Sequence, residues 1–372
     1  MPRHGAGFFL LHCFGACSGQ NTGFFMARPL LTALLPQDKT KEEPMNFAQY
    51  IKEIGRGTSG AADLSEQDAE KLYAAILDGG VPDLELGAII LALRMKGESR
   101  EEMSGFLRAA ETRAYSLRRP ATEIRPVVLP SYNGARKGAN LTPLLALLLQ
   151  RFGVPVLIHG LLEGYGRVTS GHVFRELGLM PAASLHLAQQ SLDQEGLTFV
   201  PLSALSPGLA DQLALRSRLG LRNCAHSLVK MLDPFQGQGV LVAAATHPPY
   251  LDLMREILLH KGQTALLLRA TEGEPFANPK RRPRIELIQE GDCQTLFEAE
   301  HDSIKSLPHL PEEADARVTA QWIRRVLDEN LPLPLPLANQ LVCCLLASGC
   351  ARDFNEAKAL VAVEAKVPGL NI

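Results

Sequence analysis

The chain has 372 residues, 46% of them hydrophobic and 21% charged, with 38 Lys plus Arg against 40 Asp plus Glu. A formal net charge of −2 with this apolar content excludes a uniformly basic nucleic-acid binder, an acidic solvating protein and a disordered chain, and the length suffices for a large core divided into lobes. The seven cysteines (Cys13, Cys17, Cys224, Cys293, Cys343, Cys344 and Cys350) are odd in number and include no CxxC pair, so reduced thiols in a cytoplasmic protein are expected rather than a disulfide framework or a zinc cage.

Residues 1–44 read differently from the rest. Phe8-Phe9-Leu10-Leu11 behind Arg3 and His4 mimics a short secretory core, but His12 and Cys13 interrupt it and it is too short to span a membrane. Met45 precedes a well-formed helical start, Asn46–Ile51, and is the expected beginning of the working protein, with 1–44 an extension without a fold. Cleavage of a targeting segment is the competing reading. From 45 to 113 the pattern is helical: Ser65 with Asp68 and Ser99 with Glu102 are capping signals, Gly79-Gly80 and Gly97 are stops, and Leu84–Met95 is strongly apolar. Four short helices form a small lobe whose apolar helix is buried within it or at a subunit interface.

After Arg113 the period changes. The run Pro126–Leu129, the polar loop Ser131–Asn140, the apolar helix from Thr142 and the strand Val154–Ile158 form a βαβ unit. Further strands are expected at 198–200, 240–244, 265–268 and 285–288, with helices at 171–177, 184–194, 209–219, 225–232 and 250–260. An acidic loop follows 300, then helices at 318–329, 335–347 and 354–363. The expected fold class is α/β: a small N-terminal all-helical lobe (45–113) plus a larger, mostly parallel-sheet α/β domain (114–372) with helices on both faces.

Ligands of such sheets sit beyond the carboxyl ends of the strands, which makes 130–140, 159–170 and 272–284 the candidate loops. A helical lobe followed by strand, loop, buried helix and a strand ending His159-Gly160 resembles anthranilate phosphoribosyltransferase and the related nucleoside phosphorylases. Those enzymes carry Gly-Thr-Gly-Gly-Asp after the first strand, Lys-His-Gly-Asn after the second and a later Asp-Glu pair that holds magnesium. The corresponding residues here are degraded. Pro130-Ser131-Tyr132-Asn133-Gly134 keeps one glycine, Ile158-His159-Gly160-Leu161 lacks the lysine and asparagine, and Glu272-Gly273-Glu274 stands for the acidic pair. Ser131–Lys137, Leu219-Gly220-Leu221-Arg222-Asn223 and Thr271–Glu274 are more specifically similar to the YbiB-type family. That resemblance implies a homodimer joined through the helical lobes, nucleic-acid binding and no established catalysis.

Charge patterning gives an independent reason to expect a polyanion. Basic residues from Arg113 to Arg175 face only Glu123 and Glu163, and Arg216, Arg218, Arg222 and Lys230 stand in a stretch without acids. Lys280, Arg281, Arg282 and Arg284 follow. Nine acids between Glu286 and Asp315 face only Lys305, so the near-zero total is a cancellation. The candidate phosphate or nucleic-acid contacts are Arg136, Lys137, Arg167, Arg216, Arg218, Arg222, Lys280, Arg281, Arg282 and Arg284. Tyr132 and Tyr165 are candidates to stack on bases. The remaining ligand-loop candidates are Ser131, Asn133, Gly134, Asn140, Thr142, His159 and Gly160, and no catalytic residue is assigned.

Two readings follow. The first is a homodimeric, cytoplasmic, sequence-nonspecific binder of DNA or RNA, with no cofactor and no membrane partner. The second is a glycosyl or phosphoribosyl transferase with a diphosphate-activated ribose donor, in which Glu272 and Glu274 hold Mg2+, Asn140 and the N–H groups near Thr142 bind diphosphate, and His159 lies near the ribose.

Overall fold

A computed structural model describes residues 45–365, apart from positions 58, 304–306, 308 and 330. The expectations for 1–44, for Cys13, Cys17 and Lys305, and for 366–372 lie outside the described residues. No helix among the described residues is long and apolar enough to cross a membrane.

The chain begins with α1 (Phe47–Ile54), α2 (Glu66–Leu77), α3 (Asp83–Lys96) and α4 (Arg100–Thr112). Each start has a local cause. The Asn46 and Ser65 side chains accept N–H groups of the first turns of α1 and α2, and Ser99 with Glu102 completes a reciprocal capping box at α4. α2 and α4 pack closely because Gly105 has no side chain: a Cβ there would lie 2.2 Å from the Glu66 carbonyl oxygen. Glu102, fully buried, accepts the N–H groups of Leu64 and Ser99 and pairs with Lys96 at 2.7 Å, so its charge is compensated where it would otherwise be costly.

The larger part continues through β1 (Val127–Ser131), α5 (Thr142–Arg151), β2 (Val156–Gly160), α6 (Ser170–Leu177), α7 (Leu185–Glu195) and β3 (Leu197–Pro201). Four short helices follow: α8 (Leu202–Leu205), α9 (Pro207–Ala214), α10 (Arg216–Leu219) and α11 (Ala225–Leu228). Then come β4 (Val240–Ala245), α12 (Pro248–Lys261), β5 (Ala265–Arg269), β6 (Ile285–Gln289), β7 (Asp292–Phe297), α13 (Ala316–Asp328), α14 (Leu335–Ser348) and α15 (Phe354–Ala365). Among the described residues the strands form one sheet in the order β3-β2-β1-β4-β5-β6-β7, parallel from β3 to β5 and closed by an antiparallel β6–β7 hairpin. Every residue of β1, β2, β3 and β4 is buried, as expected for parallel strands covered on both faces. α14 is buried nearly all round and packs on β4, β5 and β6.

Three expectations needed correction. A strand that was not expected, β7, follows β6 before residue 300 as a half-exposed edge strand. The helix expected at 209–219 is interrupted at Leu215, and Gly220 in the left-handed region (φ +71°) ends its second part. The helix expected at 225–232 lasts one turn, because Asp233, which precedes Pro234, accepts the N–H groups of Phe235 and Gly237 and folds the chain into a turn. α9 also packs on the helical lobe: a Cβ on Gly208 would meet the Leu77 carbonyl at 2.5 Å.

Candidate functional site

The sheet order reverses at β1, which has β2 on one side and β4 on the other, and a crevice opens where loops leave in opposite directions. A cleft of about 460 Å³ lies there, between Tyr132 and Asn133 after β1, Ala245–His247 after β4, and Arg94 and Glu98 of the helical lobe.

The loop after β1 is built around a carboxylate. Glu274 is fully buried and accepts the N–H groups of Asn133 and Gly134, both at 2.7 Å, together with the hydroxyls of Ser131 and of Thr142 (3.3 Å). Its neighbour Glu272 accepts the N–H groups of Arg136 (3.0 Å) and Lys137 (2.9 Å). Gly273 makes this insertion possible: its φ is +94°, and a Cβ would lie 2.0 Å from Asn133 Nδ2. Asn140 donates to the Val168 carbonyl and Ser170 Oγ and accepts the Thr142 N–H, so it locks the loop from the other side. Gly160 is needed for close packing, its missing Cβ standing 2.0 Å from the Ser131 carbonyl.

This arrangement corrects the expectation for the acidic pair. Successive N–H groups in a turn form a concavity for an anion, and that concavity is filled by the chain's own carboxylate. The oxygens of Glu272 and Glu274 face N–H and O–H donors, whereas Mg2+ demands octahedral oxygen ligands turned toward the metal, so these residues do not fit the ion. No group of three or more His, Cys, Asp or Glu able to hold a metal ion occurs among the described residues.

His159 is also occupied. Its Nε2 lies 3.1 Å from the Leu232 carbonyl, which can only accept, so Nε2 carries the proton and Nδ1 accepts the Tyr132 hydroxyl at 2.5 Å. Burial pushes the ring pKa down to about 4 and holds the Tyr132 hydroxyl protonated, well above its usual range. His159 is thus a neutral structural residue rather than a neighbour of a ribose, and Tyr132, buried beneath the cleft floor, is removed from the base-stacking candidates. Because His159 binds a proton more weakly folded than unfolded, its contribution is intact above about pH 6.5 and is lost as pH falls toward 4. Urea titrations should show His159 contributing a loss of about 3 kcal/mol across that window, with buried His226, pushed down to about 3, adding its own, and His159→Gln should reduce the slope without abolishing it; equal slopes would remove burial of His159 as a cause.

The cations fall into two groups. Arg222 is half-buried and donates to Asn133 Oδ1 at 2.6 Å, and burial first, then Arg216, Arg167 and Arg94, lowers its pKa. Arg167 donates to the Gly134 carbonyl and lies 3.9 Å from Glu272, its charge disfavoured by burial and by Arg136 and Arg216. Arg136 and Lys137 are exposed at the cleft rim, and Arg216 stacks over Tyr165 at 5.6 Å. Tyr165 is 52% exposed with φ +50° and remains available to a base. Among the described residues the charged side-chain ends of Arg94, Arg136, Lys137, Arg216 and Arg222 have no carboxylate within 4.0 Å. Sequence reasoning did not place Arg94, Glu98, His226 and Lys230 at this cleft, because the helical lobe and α11 reach it only through the fold.

Arg281–Arg284 lies elsewhere, in a neighbouring cleft that shares Thr246 and Glu272 with the first, and Lys280 lines a further one beside Lys137. Arg282 is 3.5 Å from Glu300 and stacks on Phe297, and Arg284 is 3.2 Å from Glu286 and 3.9 Å from Glu298. Acids expected in a separate segment therefore neutralise two of the four basic residues. Arg218 is likewise drawn away, pairing with Asp83 of α3 at 3.1 Å.

Comparison with known proteins agrees with this fold. Residues 48–114 match the model described as "Glycosyl transferase family, helical bundle domain". The chain is 43% identical over 318 residues to the uncharacterized protein YbiB of Escherichia coli (strain K12), covering 85% of this chain and 99% of that protein. It is 24% identical over 302 residues to the anthranilate phosphoribosyltransferase of Novosphingobium aromaticivorans, covering 79% of this chain and 89% of that enzyme. Among solved structures, anthranilate phosphoribosyltransferase from Thermus thermophilus superposes with a TM-score of 0.69 at 23% identity, covering 85% of this chain and 94% of that one. The Saccharomyces cerevisiae enzyme, in complex with PRPP and Mg, gives 0.64 at 12% identity, covering 87% and 94%.

Proposed function

The chain belongs to the YbiB-type family, on the fold of glycosyltransferase family 3, and we propose that it is a cytoplasmic, homodimeric protein that binds DNA or RNA without sequence specificity. One observation carries this reading: guanidinium and ammonium groups are gathered at the sheet's switch point with no carboxylate paired to the charged ends of five of them among the described residues, and burial together with neighbouring cations lowers the pKa of Arg222 and Arg167. Like charges held together in this way are stabilised by a polyanion, which releases its counterions on binding. Among the described residues the loops around the cleft hold no recognition helix and no paired aromatic strands, so phosphate contacts dominate over base readout. Dimerisation through the helical lobe is supported by an unpartnered stripe on α3, where Leu84, Leu91 and Met95 are 82%, 49% and 71% exposed.

The test is a salt titration with dye-labelled single-stranded DNA, duplex DNA and RNA. Binding should be tight at low salt, indifferent to base sequence, and should weaken linearly on a log–log plot. Absence of binding at low salt would remove this reading.

A second reading, a transferase using a diphosphate-activated ribose, is favoured by the extended similarity to anthranilate phosphoribosyltransferases. It requires the Thr271–Glu274 turn to withdraw from the loop after β1, since Glu274 now occupies those donors. Calorimetry with phosphoribosyl diphosphate, with and without Mg2+, decides it. No heat at millimolar ligand eliminates the transferase.

A further inference from the structure

We propose that Lys230 is a nucleophilic amine that forms a reversible imine with an aldehyde carrying phosphate. The proposal rests on the polyanion reading in its strand-borne form, a ring-opened abasic deoxyribose within DNA; the same chemistry is offered by a small phosphorylated aldehyde.

Lys230 stands just after α11 and lines the cleft of about 460 Å³. Its Nζ donates to the Ala244 carbonyl at 3.0 Å, at the carboxyl end of β4, and no carboxylate lies within 4.0 Å of it among the described residues. The carbonyl favours the ammonium as its donor, but no carboxylate in contact fixes the charge, and enclosure works against it. The titratable groups facing it are Arg222 and His226 of the same stretch and Glu274 across the cleft. Enclosure and Arg222 disfavour the charged form, Glu274 opposes them, and the balance leaves the amine pKa pushed down to about 8. His226, buried beside Arg222, is pushed down to about 3 and adds no charge at neutral pH.

An enclosed lysine beside cations is the form in which this side chain attacks carbonyl carbon. The same cations select the electrophile: Arg222 and Arg94 within the cleft, with Arg136 and Lys137 at its rim, hold phosphate next to the amine. The step is balanced without any redox partner. The Nζ lone pair adds to the aldehyde carbon, the carbonyl oxygen takes a proton, and the carbinolamine expels that oxygen as water to leave the C=N bond.

The test is reductive trapping with borohydride. The probes are an oligonucleotide with one abasic site, the intact oligonucleotide, pyridoxal 5′-phosphate and pyridoxal, and the modified peptide is mapped by mass spectrometry. Trapping at Lys230 with the abasic strand supports the strand-borne source. Trapping there with pyridoxal 5′-phosphate well above pyridoxal, but not with the abasic strand, supports the small-molecule source. Lys230→Arg and Lys230→Met, checked for folding by melting, should reduce the adduct to below about a tenth of wild type. Modification spread evenly over surface lysines, or unchanged in both variants, overturns the proposal. Because mapping is done on the wild type, misfolding of a variant leaves the result decisive. Failure of intact strands to bind at low salt, with Lys230 still trapped by pyridoxal 5′-phosphate, would remove the polyanion reading and leave the amine's chemistry standing.

Discussion

Glu274→Ala is expected to melt well below the wild type and to be partly restored by acetate, a carboxylate small enough for the vacated space. The substitution leaves two backbone N–H groups and two hydroxyls facing an empty, fully enclosed space. Hydrogen bonds to a charged acceptor contribute about 1.5–3 kcal/mol each, and they fail together here, so a loss of about 3–5 kcal/mol, or roughly 10 °C, is expected. Acetate at ten times its Kd would return about 1.4 kcal/mol. The wild type should gain nothing, because its own carboxylate already fills the turn. Equal melting of the two proteins, or equal stabilisation of both by acetate, would show that the loop after β1 is not organised around Glu274.

The same carboxylate explains why the loop departs from a glycine-rich sequence. A diphosphate is bulky and needs several N–H groups at close range, which demands glycines at successive positions. A side-chain carboxylate inserted from a neighbouring turn is smaller and covalently held, so Tyr132 and Asn133 are tolerated and turned to other tasks: Tyr132 to His159, and Asn133 to Arg222 and the Glu272 carbonyl. The glycine that matters has moved to Gly273, on the inserting turn.

Much of the architecture could be read locally. Continuous apolar runs such as Val240–Ala245 announce strands buried on both faces, and Ser65, Ser99 and Gly97 mark helix ends through bonds within one turn. What escaped depends on residues distant in sequence. β7, Asp292-Cys293-Gln294-Thr295-Leu296-Phe297, shows neither a continuous apolar run nor strict alternation, and is a strand only because β6 offers it a partner. The same cause hid the roles of the acids. Glu274 is a solvated loop acid or a metal ligand until the fold brings Asn133, 141 residues away, against it. Glu300 belongs to an acidic segment until it meets Arg282. Local charge density therefore located the basic regions but not which of their members are already paired.

That distinction leads to the other large effect. Replacing Arg136 and Lys137 together by alanine should remove two phosphate contacts, lowering the log–log salt slope by about 1.4–1.8 and shrinking the change in affinity between 50 and 200 mM salt about tenfold. Both side chains are exposed at the cleft rim and, among the described residues, pair with no carboxylate, so their loss should leave melting nearly unchanged. Arg282→Ala with Arg284→Ala should do the reverse. These guanidinium groups already answer Glu286, Glu298 and Glu300, and Arg282 also covers the Phe297 ring, so the double variant should lose stability while keeping the salt slope. Glu298→Gln with Glu300→Gln completes the set. With Glu300 neutralised, Arg282 becomes available beside exposed Arg281, while Arg284 keeps Glu286 at 3.2 Å, and the slope should steepen. Salt-titrated binding of one labelled strand to the four proteins separates these outcomes. If the two arginine-rich positions changed the slope equally, ion pairing within the fold would not be what divides the binding cations from the structural ones.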